Sequence, residues 1–171
     1  SGTKVLFFPP RKGRFYDYEN WRVLASLEDK INNGDLQVFC VDSVDQESFY
    51  NNFSHPRYRI YRHTQYERYI VDEVVPLANR INNNLNLISA GCSLGAYHAI
   101  NIAMRHPHLF CKVVGLSGRY DLTESKGYFQ DLLSGYHNDS VYFNMPNQYL
   151  KNLTDPKIIQ QLQKMDITLA I

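Results

Sequence analysis

No apolar run in this sequence approaches transmembrane length, and nothing at its start resembles a secretory leader. A bilayer-spanning helix and an exported chain are therefore not expected. The three cysteines, Cys40, Cys92 and Cys111, form neither a C-x-x-C pair nor a metal-ligand spacing. Cys40 and Cys111 lie in apolar, strand-like runs, where a free buried thiol is expected, and a reducing cytoplasm fits best. Without a leader, the Asn-x-Ser/Thr triplets at Asn52, Asn138 and Asn152 are read as chance. No G-x-G-x-x-G occurs, and no glycine-rich loop runs into Lys-Ser/Thr, which removes the dinucleotide and P-loop signatures. Charge of one sign is missing too: 18 Lys and Arg face 17 Asp and Glu, a formal +1. Such a balance gives no reason to expect nucleic acid or a membrane surface as partner. No repeat, low-complexity tract or linker divides the 171 residues, and 44% hydrophobic content is enough for one globular core.

What is abundant is aromatic. Thirteen tyrosines and nine phenylalanines thicken in Phe49–Tyr69 and Tyr128–Tyr149. Two readings stand: packing at the rim of a sheet, or an aromatic-lined substrate cleft.

Apolar runs alternate with helical patterns. Lys4–Phe8 (KVLFF), stopped by Pro9-Pro10, reads as an interior strand. A polar, aromatic loop comes next, Arg11–Asn20, then a helix from about Glu19 to Asn32 with Val23, Leu24, Leu27 and Ile31 as its apolar stripe. Asn33-Gly34 ends that helix. Leu36–Val41 is the next strand, leading into an acidic turn at Asp42–Glu47. Pro56 opens a long helix to about Asn82, with Tyr66, Ile70, Val74, Leu77 and Ile81 as buried face and Pro76 as a kink. Arg57, Arg59, Arg62 and Arg68 read as its solvated side. Further strands are expected at Leu85–Ala90, Lys112–Leu116 and Ile167–Ala170. Asp155 caps a helix that has Pro156 at its first position. Residues 122–153 read as an irregular, cap-like insertion within a single domain. Strand–helix alternation implies a mostly parallel sheet with helices on both faces, an α/β fold.

Chemistry concentrates at Gly91-Cys92-Ser93-Leu94-Gly95, a G-x-S-x-G between a strand and a helix beginning at Ala96. That context is the one a nucleophile elbow needs. The serine sits at the tip of a sharp turn, and the flanking glycines allow other backbone to approach closely. Two other readings compete: a glycine-rich turn with a surface serine, and an anion cradle at a helix N-terminus. Cys92 is disfavoured as nucleophile because an elbow presents its central residue.

The elbow GCSLGAYHA, the strand ending in SGRYD and the upstream FFPPRKGRFYDYEN together resemble the α/β-hydrolase superfamily, across nearly the whole chain. More narrowly, they resemble the bacterial putative-esterase group that includes esterase D-like and mycolyl-transferring enzymes. The resemblance implies Ser93 as catalytic nucleophile and the Leu94 backbone N–H as one oxyanion donor. The second donor falls in the loop after the first strand. Pro9 and Pro10 carry no N–H, leaving Arg11 or Lys12. The group's order places acid and histidine after the last strand, hence beyond Ile171, and a domain that starts on a central strand at Lys4–Phe8 is unusual, so a chain truncated at both ends is expected. An internal alternative pairs Asp121 with His137. His98, one turn into the elbow helix, is expected to face along it.

The implied function is a serine esterase-type hydrolase cleaving a small carboxylic ester, with no metal or organic cofactor. A non-catalytic scaffold on the same fold and an acyltransferase are the alternatives. Partners expected are a small-molecule ester, no nucleic acid and no membrane, with homo-oligomerisation left open.

Overall fold

A computed structural model describes residues 2–171. Five strands form one parallel sheet: β1 (Thr3–Phe8), β2 (Leu36–Cys40), β3 (Leu87–Cys92), β4 (Lys112–Leu116) and β5 (Asp166–Ala170), in the order β2-β1-β3-β4-β5. This is the α/β-hydrolase-type sheet expected, with the third strand at its centre. The helices, in chain order, are α1 (Asp17–Asn20), α2 (Val23–Ser26), α3 (Glu28–Asn32), α4 (Pro56–Tyr69), α5 (Val75–Ile81), α6 (Leu94–Arg105), α7 (Asp139–Tyr142), α8 (Pro146–Tyr149) and α9 (Pro156–Lys164). None of the described helices is long and apolar enough to cross a membrane.

Alternation along the central strands divides the two faces. Leu6 and Phe8 of β1, Leu87 of β3 and Val113 of β4 join Tyr66, Ile70, Val75, Ala99, Ile102 and Ala103 in the main core. Lys4 points to that face as well, its ammonium bound to Asn79 and to the Asn82 carbonyl, and burial pushes its pKa down. The opposite face is covered more thinly. There Phe7 meets Tyr18 of α1, ring centroids 4.8 Å apart. A second apolar cluster joins Phe49, Ile60, Leu94 and Tyr97 to Leu122, Leu133, Val141 and Met145 of the segment after β4.

Several sequence expectations are corrected. The helix expected over residues 19–32 is three short pieces: Arg22 takes φ +60° and breaks the ladder between the first two, and Leu27, at φ −103° and ψ 3°, separates the second from the third. Its stripe is only half-buried. The long helix from Pro56 is interrupted by a π-turn over Ile70–Val74. One extra residue in that turn rotates the succeeding helix by about 100°. Val75, Ala78 and Asn82 are therefore buried, while Leu77 and Ile81 are exposed. Pro76, which has no N–H to return to Asp72, sits where the turn relaxes the ladder. Arg59 is buried rather than solvated, donating to the Ser54 and Leu132 carbonyls at 2.9 and 3.2 Å. Leu85 lies before β3 and is exposed. Cys111, one residue ahead of β4 at the rim of the sheet, is exposed as well, and all three cysteines are free.

Candidate active site

β3 ends at Cys92 and α6 begins at Leu94, so the whole reversal falls on Ser93, with φ +57° and ψ −119°. A non-glycine residue in that region costs roughly 1–3 kcal/mol and persists only where its surroundings enforce it. Here the Ser93 N–H donates to the Leu116 carbonyl at 2.8 Å, and the Ser93 carbonyl accepts from Ala96 and Tyr97. The Tyr18 hydroxyl braces the turn from below. It donates to the Phe8 carbonyl at 2.7 Å and accepts the Cys92 N–H at 2.9 Å, tying β1 to β3. Both glycines are required sterically. A Cβ on Gly91 would strike the Gly95 carbonyl, and one on Gly95 would strike the Phe8 and Pro9 carbonyl oxygens.

The consequence is a serine pushed outward. Ser93 is exposed, and its hydroxyl has no hydrogen-bond partner among the described residues. The Leu94 N–H is likewise unpaired among them. It opens the twelve-residue α6, whose positive dipole end lies at this position.

The loop after β1 supplies the facing wall. The Arg11 N–H has no partner among the described residues. Lys12 differs: it takes φ +56° and its N–H donates to Asp45 Oδ2 at 3.0 Å. The expectation that Lys12 could offer an oxyanion donor is therefore corrected, because its one N–H is already committed. Arg11 remains.

Asp45 was not legible as a site residue, since it sits in what reads as an acidic turn. It is fully buried, and its Oδ1 meets His98 Nε2 at 2.9 Å. One carboxylate thus links the loop after β1 to the elbow helix. Val41, Val44 and Phe49, spaced through the same turn, were the available signal that it packs inward. His98 does not run along the helix surface; it is buried among Phe8, Phe49, Tyr66 and Tyr97. His63 stands beside it, bonded to Asn144 Oδ1, and burial pushes its pKa down to about 3. A neutral imidazole results.

Asp121 and His137 are not brought to the serine. The Asp121 carboxylate accepts from the Thr123 N–H and hydroxyl and from Gln148. His137 bonds to the Oε1 of the same Gln148 at 3.2 Å. Among the described residues no histidine hydrogen-bonds Ser93, and no cluster of His, Cys, Asp and Glu could hold a metal ion.

Ser93 and Leu94 open into a cleft of about 500 Å³, a volume suited to a small organic molecule. Arg11, Lys12, Trp21, Tyr50, Arg119 and Phe129 form much of its wall. The break at Arg22 is what leaves Trp21 there, exposed rather than packed under a helix. Tyr50 and Phe129 come from the two aromatic-rich stretches.

Comparison with known proteins agrees with this architecture. FphF of Staphylococcus aureus, described as a fluorophosphonate-binding serine hydrolase, superposes with a TM-score of 0.63 at 17% identity, covering 98% of this chain and 63% of that one. A ferulic acid esterase gives 0.63 at 16%, covering 96% and 64%. The S-formylglutathione hydrolase FrmB of Staphylococcus aureus gives 0.60 at 16%, covering 99% and 76%. The chain thus spans just under two thirds of the first two. No curated protein matches it in sequence. The family described as "Putative esterase" matches residues 16–159, most of the chain, and the chain belongs to that family of α/β-hydrolase-fold proteins.

Proposed function

We propose that this protein is a serine hydrolase that cleaves small carboxylic esters through an acyl-serine intermediate at Ser93. The observation that carries the reading is the pairing of an outward, unbonded Ser93 hydroxyl with the unpaired Leu94 N–H at the mouth of one cleft. Ser93 Oγ attacks the ester carbonyl carbon while a general base takes its proton. The negative charge gathers on the former carbonyl oxygen, and the Leu94 and Arg11 amides receive it. Collapse breaks the bond to the alcohol oxygen, which leaves with the proton, and water then releases the acid and restores the serine. Each such donor is typically worth about 10²–10³ in rate. Because none of the six histidines bonds Ser93, the residues assigned here are the nucleophile and the two oxyanion donors.

The test is covalent labelling of the full-length protein by a fluorophosphonate, with the modified peptide sequenced, alongside turnover of short 4-nitrophenyl esters. Labelling at Ser93 with ester turnover is the expected result. A folded protein that neither labels nor hydrolyses a broad ester panel would transfer the fold to a binding role. Product analysis with an added alcohol separates hydrolysis from acyl transfer.

A further inference from the structure

Positive charge is distributed unevenly over this near-neutral chain. Three cationic side chains, Arg11, Lys12 and Arg119, line the cleft that holds the Ser93 hydroxyl, against one carboxylate, Asp17. Every ion pair among the described residues lies elsewhere, at Arg14–Asp42, Arg62–Glu47, His98–Asp45, Glu67 with Arg105 and His106, and Lys112–Asp166. The nearby carboxylates form no ion pair with these three cations and take their hydrogen bonds from other groups. Asp17 accepts the Arg14 N–H, Asp45 is shared by His98 and the Lys12 N–H, and Asp121 is taken by Thr123 and Gln148.

The cations are held in place by contacts with neutral groups, rings and backbone carbonyls. Arg11 and Lys12 both lie over the Tyr50 ring, 5.7 and 5.3 Å from its centroid. Arg119 is anchored at Nε to the Asp121 carbonyl and at Nη2 to the Glu124 and Gln130 carbonyls, with its guanidinium 5.1 Å from the Phe129 ring. Its Nη1 has no partner among the described residues. Burial is the main cause that lowers the Arg119 pKa, so this cation has already lost part of its water and gains from an anion in return. A rigid, planar guanidinium with free N–H groups suits a carboxylate or phosphate oxygen.

We propose that the ester cleaved at Ser93 carries a second, anionic group, a carboxylate or a phosphate, which Arg11, Lys12 and Arg119 bind. The inference rests on the esterase reading for the role of Ser93. A cleft of one sign with low-dielectric walls concentrates oppositely charged ligands, so the anionic group sets which esters are taken.

Matched substrates test it on the full-length protein: 4-nitrophenyl hemiglutarate against 4-nitrophenyl butyrate for a carboxylate, and acetylglycerol 3-phosphate against acetylglycerol for a phosphate. At least one anionic ester should exceed its neutral partner in kcat/KM by about tenfold, chiefly through KM, and the advantage should shrink as ionic strength rises. The pair that responds identifies the anion. Arg119→Gln should bring the ratio towards one, with Arg119→Lys intermediate. Lys12→Gln, whose side chain forms no hydrogen bond, gives the same direction should Arg119→Gln fail to fold. Calorimetric titration with glutarate and with inorganic phosphate reads the site without turnover. Labelling and neutral-ester turnover with a ratio near one would overturn the anionic substrate and leave the esterase reading standing. Arg119-dependent anion binding without labelling or turnover would overturn the esterase reading, and with it the anionic ester, and leave an anion site at Arg11, Lys12 and Arg119. Absence of both would remove both.

Discussion

The two ends of α6 solve opposite problems with the same chemistry. At its C-terminal end, Arg105 Nε and His106 Nε2 converge on Glu67 Oε1 at 2.9 and 2.6 Å. Burial alone would push the Glu67 pKa up, but His106 and Arg105 together outweigh it and hold the carboxyl down at about 2. The Glu67 charge is matched there by Arg105, whose guanidinium in the last turn complements the helix dipole. At the N-terminal end, Ser93 is strained, the Leu94 amide is unpaired, and three cations line the cleft against a single carboxylate, Asp17, without an ion pair among the described residues. The contrast separates groups that hold the fold together from groups the fold leaves without partners. The fixed parts of the N-terminal end, Tyr18 and Asp45, lie beneath the turn and keep the free groups in place.

The contrast is sharpest if Ser93→Ala and Glu67→Gln have non-overlapping effects. Ser93→Ala should abolish fluorophosphonate labelling and lower ester turnover by on the order of 10⁶, with the urea midpoint unchanged. Glu67→Gln should do the opposite. It should lower stability towards the smaller end of about 3–5 kcal/mol, since Arg105 and His106 are partly exposed, and leave the labelling rate of the folded fraction intact. Loss of labelling in folded Glu67→Gln would mean the two ends are coupled.

Acid should then act in two stages. His63, with a folded pKa of about 3 against an ordinary 6.5, is favoured in its neutral form. Its contribution is complete above pH 6.5 and is lost as pH falls from there towards 3. Glu67, at about 2 against 4.5, contributes fully above pH 4.5 and is lost as pH falls through 2. Urea midpoints measured across this range should fall in both windows in the parent. Glu67→Gln should retain the upper window and flatten the lower, and an unchanged lower window would remove Glu67 from the account. The smallest effect is expected from Cys92→Ala. Its N–H to Tyr18 is backbone and survives the substitution, so labelling and turnover should stay within about twofold, in keeping with a substitution worth at most ~0.5 kcal/mol. A Cys92→Ala protein that lost labelling while Ser93→Ala kept it would exchange their roles.

The sequence by itself determined the five strands, the place of the elbow between β3 and α6, and the glycines flanking Ser93. These come from local rules: alternation, the abrupt stops at Pro9-Pro10 and Asn33-Gly34, and the need for bare backbone at a sharp reversal. Tertiary structure decided which side chains reach the site. Lys12 and Arg11 are adjacent and alike in sequence, yet only Arg11 keeps its N–H free, because Asp45, thirty-three residues from Lys12, claims the other. The π-turn at Ile70–Val74 moved the buried face from Leu77 and Ile81 to Ala78 and Asn82, a one-residue shift that a 3.6-residue period cannot register. Arg119 became a fixed cation of the cleft through carbonyls at 121, 124 and 130. Hydrogen bonds and charge pairing depend on distances between segments far apart along the chain, and those distances exist only once the sheet has brought the segments together.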